Sequence, residues 1–291
     1  MNPLELAGLI ALMGRTRGRP EVVVGLVDGP IAMNHPDLAG DTIREFPGKM
    51  SGTCTKTNSA ACMHGTFVAG ILCAKRGSAA PALCPNCTLL AYSIFAETAS
   101  GDTEMPSATP EDLTAAILAC IEAGARILNL SLALTRSSSK GERALGEALD
   151  RAARRGVLIV AAAGNQGTVG STVITGHPWV IPVAACDLRG KPVNETNLGH
   201  SIGRRGLRAP GDQITSLGAQ GQPLTLGGTS VAAPFVTGAI ALAWSEFPAA
   251  TAAQLRFAFM HARAGGRITV TPPLLDAWAA YQVLSTTHSR R

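Results

Sequence analysis

The stretch "GVLIVAAAG" (156–164) carries no charged side chain, and its hydrophobicity is continuous rather than alternating. A strand with one wet face alternates apolar and polar residues; a strand covered on both faces does not. The same pattern recurs in "EVVVGLVD" (21–28), "LLAYSIF" (89–95), "RILNLSL" (126–132) and "WVIPVAA" (179–185). Runs of this length, buried on both sides, predict a mainly parallel sheet.

Helical patterns lie between the runs. Residues 109–124, "TPEDLTAAILACIEAG", open with Thr109 as N-cap and Pro110 at the first helical position, with Asp112 three residues after the cap and Gly124 at the end. Residues 140–155 run amphipathically into Gly156, and Thr251 starts a helix over 251–264. Strand–helix alternation with no repeat and no internal linker predicts a single α/β domain over residues 1–291. Its core spans about residues 20–260, with a short amphipathic N-terminal helix (4–13) and a C-terminal helical extension.

Composition excludes several classes. The 46% hydrophobic content of 291 residues supports a large core, and 4% aromatics leave little for a base-stacking surface. The net charge of +5 concentrates at Arg15, Arg17, Arg19, Arg290 and Arg291 without a basic helix, which reads as solvated ends and argues against a nucleic-acid partner. The apolar run 231–244 is too short to span a bilayer and holds Pro234 and Thr237. "LELAGLIALM" (4–13) lacks a basic flank and is broken by Glu5, so it does not read as a signal peptide. The expectation is a soluble, cytoplasmic protein, with secretion as the alternative because of loop cysteines. Of the seven cysteines, Cys73, Cys120 and Cys186 sit in apolar settings. Cys54, Cys62, Cys84 and Cys87 are placed in loops, as disulfides or free thiols in preference to a four-cysteine zinc site.

Function in an open parallel sheet gathers beyond the carboxyl ends of the strands. Asp28 ends the first strong strand, although Asp28-Gly29-Pro30 is also good turn chemistry. His64, in "CMHGTFVAG", stands at a helix start, where Thr66 is a candidate cap. Asn165 ends "VLIVAAAGN" and is either a turn amide or a donor aimed at an oxyanion. Ser230, in "GGTSVAAP" (227–234), is either an N-cap or a nucleophile at the positive end of a helix. Each site alone favours the structural role. Together, Asp, His and Ser in that order fit one of the convergent acid–base–nucleophile arrangements.

On these residues the chain resembles the subtilisin-like serine proteases. "VVGLVDGPIAMNHPDL", "HGTFVAGI", "ILNLSLA", "VAAAGN", "LRAPGDQI" and "GGTSVAAPFVTGAIAL" match the family's motifs in order, over about residues 20–260. The resemblance implies a three-layer fold with a mostly parallel seven-stranded sheet flanked by helices. It implies peptide-bond hydrolysis through an acyl-enzyme on Ser230, with His64 as base, Asp28 as its orienter and Asn165 as oxyanion donor. It also implies a peptide substrate laid against Ser131, Leu132 and Ala133, with Ala162, Ala163 and Gly164 as the other wall of a pocket for a medium apolar side chain. Glu97, Asp102 and Glu104 would border the cleft and favour basic residues upstream of the cut.

Three departures matter. Asp-Gly-Pro replaces the usual Asp-Ser/Thr-Gly, a variant similar to the branch that matures ribosomal precursor peptides, so a precursor peptide is the expected partner. The segment "CAKRGSAAPALCPNC" lacks the Asn/Asp-rich calcium loop, so no cofactor or metal is expected; Asp37 alone matches a calcium ligand position. The short interval between Asp28 and His64 leaves no room for the large helical insertion of the macrocyclising members. Hydrolysis is therefore expected, with transpeptidation or general intracellular proteolysis as the alternatives.

Overall fold

In the computed structural model all five apolar runs are strands, and two more strands join them in one sheet. The structure describes residues 2–38, 40–46, 50–97, 108–132, 139–262 and 269–288. The strands are β1 (Val23–Asp28), β2 (Ile43–Glu45), β3 (Thr88–Ser93), β4 (Ile127–Leu130), β5 (Leu158–Ala162), β6 (Val180–Cys186) and β7 (Leu207–Pro210). They lie in the order β2-β3-β1-β4-β5-β6-β7, and every neighbouring pair is parallel. A two-stranded antiparallel hairpin, β8 (Ile214–Leu217) with β9 (Pro223–Leu226), stands apart.

The helices are α1 (Pro3–Leu6), α2 (Leu9–Arg15), α3 (Ala60–Cys73), α4 (Pro110–Glu122), α5 (Ser139–Arg155), α6 (Val173–Gly176), α7 (His200–Arg205), α8 (Thr229–Glu246), α9 (Ala252–His261) and α10 (Ala277–His288). Side chains alternate across the sheet with period two, so each strand feeds two cores. Ile127, Leu158 and Val160 pack with Phe67 of α3 and with Phe235 and Leu242 of α8. Leu128, Leu130, Ile159 and Ala161 pack with Leu113 and Ile117 of α4 and Leu149 of α5. This three-layer arrangement explains the continuous hydrophobicity of the strands. Helix α8 is buried nearly all round, which is why its sequence shows no polar stripe.

Local signals act as expected at α4, where the Thr109 hydroxyl accepts the Asp112 N–H at 3.1 Å, and at α9, where Thr251 and Gln254 form a capping box. The single N-terminal helix expected over 4–13 is instead two. Gly8 turns left-handed (φ 64°), and the Ala7 carbonyl accepts the Ala277 N–H at 2.9 Å, tying this segment to α10.

Where the sequence lacks the calcium loop, an arginine gathers carbonyl oxygens. The Arg76 guanidinium donates to Met13 O (2.5 Å), Thr16 O (2.8 Å), Leu83 O (3.1 Å) and Ala82 O (3.4 Å). One fixed cation thus binds the end of α2 to the loop that follows α3. Among the described residues, no helix is long and apolar enough to cross a membrane.

Candidate active site

The carboxyl ends of the central strands carry the site. Asp28 closes β1 and is fully buried. Its Oδ1 accepts the Gly29 N–H at 2.6 Å and lies 2.7 Å from His64 Nδ1. His64 sits in the second turn of α3, and the cap of that helix is Ser59, whose Oγ accepts the Cys62 N–H at 3.2 Å. Thr66, the cap suggested by sequence, instead accepts the Ala32 N–H at 2.9 Å and pins the segment after Asp28 to α3.

That approach explains the unusual Asp-Gly-Pro. A side chain at Gly29 would bring its Cβ within 2.0 Å of the Ala61 carbonyl oxygen. A side chain at Gly65 would come within 2.4 Å of the Gly29 carbonyl oxygen. Two backbones therefore touch where acid and imidazole must meet, and a Ser or Thr after Asp28 does not fit. Asp28 Oδ2 finds no hydrogen-bond partner among the described residues, as expected where the neighbour carries no hydroxyl.

Burial is the largest influence on the His64 pKa and pushes it down. The Asp28 charge and the hydrogen bond to Asp28 together outweigh it, so the pKa is raised above the ordinary value.

Ser230 is the second residue of α8, not its cap; the N-cap is Gly228, at φ 116°. Its backbone N–H belongs to the first helical turn, where donors have no intrahelical partner. Asn165 follows β5. Its Oδ1 accepts both the N–H and the hydroxyl of Thr229, each at 2.9 Å, which leaves the Nδ2 end of the amide free to donate. His64, Phe95, Ser131, Leu132, Ala162, Gly164, Asn165, Gln166, Thr229 and Ser230 line one cavity of about 110 Å³. His64, Ser230 and Asn165 thus border one space, though His64 and the Ser230 hydroxyl form no hydrogen bond in this structure. Such contacts often tighten only when substrate binds. A second, open cavity of about 610 Å³ continues from Asn165 and Gly228 past Lys191, Glu195 and Asp212.

Residues 19–275 match the Subtilase family. The chain belongs to that family. Subtilisin DY of Bacillus licheniformis is 32% identical over 240 residues, 81% of each chain. Among solved structures, a serine-to-alanine mutant of the protease domain of PatA aligns with TM-score 0.82 at 27% identity, covering 94% of this chain and 98% of that one. The prenylagaramide maturation protease PagA aligns with TM-score 0.81 at 28% identity over 95% and 98%. The PatG macrocyclase aligns with TM-score 0.78 at 21% identity over 96% of each chain, a likeness of fold. This subtilase is a subtilisin-like serine endopeptidase.

Several expected site residues stand elsewhere. Ala163 is buried and does not line the cavity; its carbonyl accepts Asn197 Nδ2 at 3.2 Å. Ala133, Asp102 and Glu104 lie outside the described residues, as do Arg290 and Arg291. Glu97 is occupied internally: its carboxylate accepts the N–H groups of Thr55 and Lys56 and the Thr55 hydroxyl, which leaves it little to offer a substrate cation. Asp37 neighbours Lys75, whose ammonium donates to the Pro36 carbonyl at 2.6 Å, a poor setting for calcium.

The cysteines divide differently from the loop assignment. Cys62 lies in the first turn of α3 and is bonded to Cys54. That disulfide removes the four-thiolate zinc arrangement. It also disposes of Cys54, Cys62 and Glu97, the one group of potential metal-binding side chains that clusters among the described residues. Cys73, Cys84, Cys87, Cys120 and Cys186 are free and buried. The Cys84 thiol donates to Cys87, raising the first and lowering the second.

Two residues escaped the sequence reading. Thr229 orients Asn165, and Asn197 gathers the loop that follows it. Asn197 Oδ1 accepts the N–H groups of Gln166 (3.0 Å) and Thr168 (3.1 Å). The Thr229 signal was adjacent to Ser230; Asn197 left none.

Proposed function

We propose that Asp28, His64 and Ser230 form a catalytic triad that hydrolyses peptide bonds, and that residues 1–291 act as one peptidase unit. The observation that carries this reading is the 2.7 Å Asp28–His64 contact beside a cavity shared by His64 and Ser230. Asp28 holds the ring with Nδ1 protonated, so Nε2 is the basic nitrogen. His64 takes the Ser230 proton as Oγ attacks the carbonyl carbon, then returns it to the leaving amine. Asn165 Nδ2 and the Ser230 N–H donate to the developing oxyanion. Water repeats the sequence on the acyl-enzyme.

The peptide lies as an added strand along Ser131-Leu132, and Ala162 and Gly164 face it across the cavity. The small side chains there suit a medium apolar residue before the cut bond. A ribosomal precursor peptide is the substrate we propose, on the likeness to maturation proteases at 27–28% identity. Hydrolysis is favoured over macrocyclisation by the interval of 36 residues between Asp28 and His64, whose described residues contain no α-helix ahead of α3. Excluding water from an acyl-enzyme requires a cover that this interval does not supply.

Fluorophosphonate labelling tests the nucleophile. The wild type should take up one adduct at Ser230, and Ser230→Ala none. A folded wild type that stays unlabelled, with peptide present or absent, overturns the triad. Mass spectrometry of a tagged peptide digest then separates linear from cyclic products.

A further inference from the structure

Buried polar side chains cost free energy unless each finds partners. Three whose side chains take no part in the proposed proton transfer or oxyanion binding stand in line, the last of them on the segment where the peptide is proposed to lie. Thr237 of α8, Asn129 of β4 and Ser131 just beyond β4 are 0%, 0% and 1% exposed. Thr237 Oγ1 donates to Asn129 Oδ1 at 2.7 Å. Asn129 Nδ2 donates to Ser131 Oγ at 2.7 Å. Ser131 Oγ donates to the main-chain carbonyl of Ser230 at 3.0 Å.

The sequence explains why that carbonyl is open. In an α-helix the carbonyl of residue i is taken by the N–H of residue i+4. Four residues after Ser230 stands Pro234, inside α8, with no N–H to give. The proline withdraws the helix's own donor, and a hydroxyl from the neighbouring strand replaces it. All three bonds run in one direction, so each polarises the next. The carboxamide of Asn129 suits the middle position, because its oxygen accepts from Thr237 while its nitrogen donates to Ser131.

We propose that Thr237, Asn129 and Ser131 are positioning residues that hold the first turn of α8, and hence the Ser230 hydroxyl, at a fixed distance from the strand on which substrate lies. This rests on the role of Ser230 given above. Stability alone would be served as well by apolar side chains of the same volume. The relay adds a set angle at the start of a helix that proline has loosened, and small misplacements of a nucleophile are costly in rate.

The test is the rate of fluorophosphonate labelling of the full chain for wild type, Thr237→Val, Thr237→Ser, Ser131→Ala and the Thr237→Val/Ser131→Ala double variant. Circular dichroism establishes that each is folded at the assay temperature. Thr237→Val should label roughly tenfold more slowly. Thr237→Ser, which keeps the hydroxyl, should stay within about twofold of wild type. Ser131→Ala should match Thr237→Val, and the double variant should be no slower than the slower single, because the three act as one unit. The pH midpoint of labelling, set by His64, should not move. The relay is overturned by a Thr237→Val variant that labels at the wild-type rate, by equal slowing of the Val and Ser variants, or by losses that multiply in the double variant. Should Thr237→Val fail to fold, Ser131→Ala decides the last link without repacking α8. An unlabelled wild type removes the Ser230 assignment and the relay together. A labelled wild type with indifferent variants removes the relay alone.

Discussion

In the proposed triad His64 is a base paired with a buried acid, and the two demands have opposite pH signs. Its folded pKa is raised above the ordinary 6.5. The pairing with Asp28 therefore contributes stability that is complete below the unfolded pKa and is lost as pH rises through the folded one. Activity moves the other way, because the proton must leave before the ring can accept one from Ser230. We expect kcat/KM to climb, and the melting temperature to lose the His64–Asp28 contribution, over the same pH interval. In Asp28→Asn both midpoints should shift to lower pH; paired pH profiles of rate and melting temperature check this. At Asn165 the expectation is simpler. Asn165→Ala should cost about 3–4 kcal/mol of transition-state stabilisation, with KM little changed, in steady-state kinetics on a peptide substrate. Of the side chains proposed to react, Asp28 closes β1, Asn165 follows β5 and Ser230 opens α8, positions that an apolar run marks in sequence; His64 lies a full turn into α3, where its motif marks it instead. Ala163 misled because a tip residue can equally turn inward. Thr229 was hidden beside Ser230, and nothing local announces that its hydroxyl orients an amide 64 residues away.

Among the elements, α8 and the Arg76 loop depart most from simple rules. A proline inside a helix is tolerated at α8 because the carbonyl it orphans is met by Ser131. At the Arg76 loop, a guanidinium joins four carbonyl oxygens contributed by two separate segments. Arg76→Met keeps much of the stem and removes the donors, leaving carbonyls without their charged partner. It should lower stability by about 3 kcal/mol or more in urea unfolding. Excess chelator should leave the wild-type melting temperature unchanged, since the cation at this corner is part of the chain. Helices α4 and α9 could be read because their caps are local. Ser59 follows Thr57 and Asn58, which are equally good N-cap types, so the sequence does not single out where α3 begins.

At the scale of the molecule, strands β1, β3, β4, β5 and β6 were legible because burial on both faces leaves them continuously apolar. Strand β2 was not, because it is short and partly exposed at the sheet edge. Contacts such as Thr237 to Asn129, 108 residues apart, have no local trace at all. The whole molecule also governs its thiols. Burial pushes Cys120 and Cys186 up to about 12, and Cys73 is raised as well. Cys87 is lowered by its bond from Cys84 but is only 2% exposed, so access protects it where pKa does not. Iodoacetamide should leave the native protein almost unmodified and alkylate five cysteines in denaturant, counted by mass spectrometry. The remaining two close a bridge across eight residues, with one end on the segment paired to Ile31 and the other a half-turn before His64. Material made in a reducing cytosol and material folded in air will therefore differ by a pair of hydrogen atoms next to the chemistry. Turnover numbers from the two preparations become comparable only after their redox history has been matched.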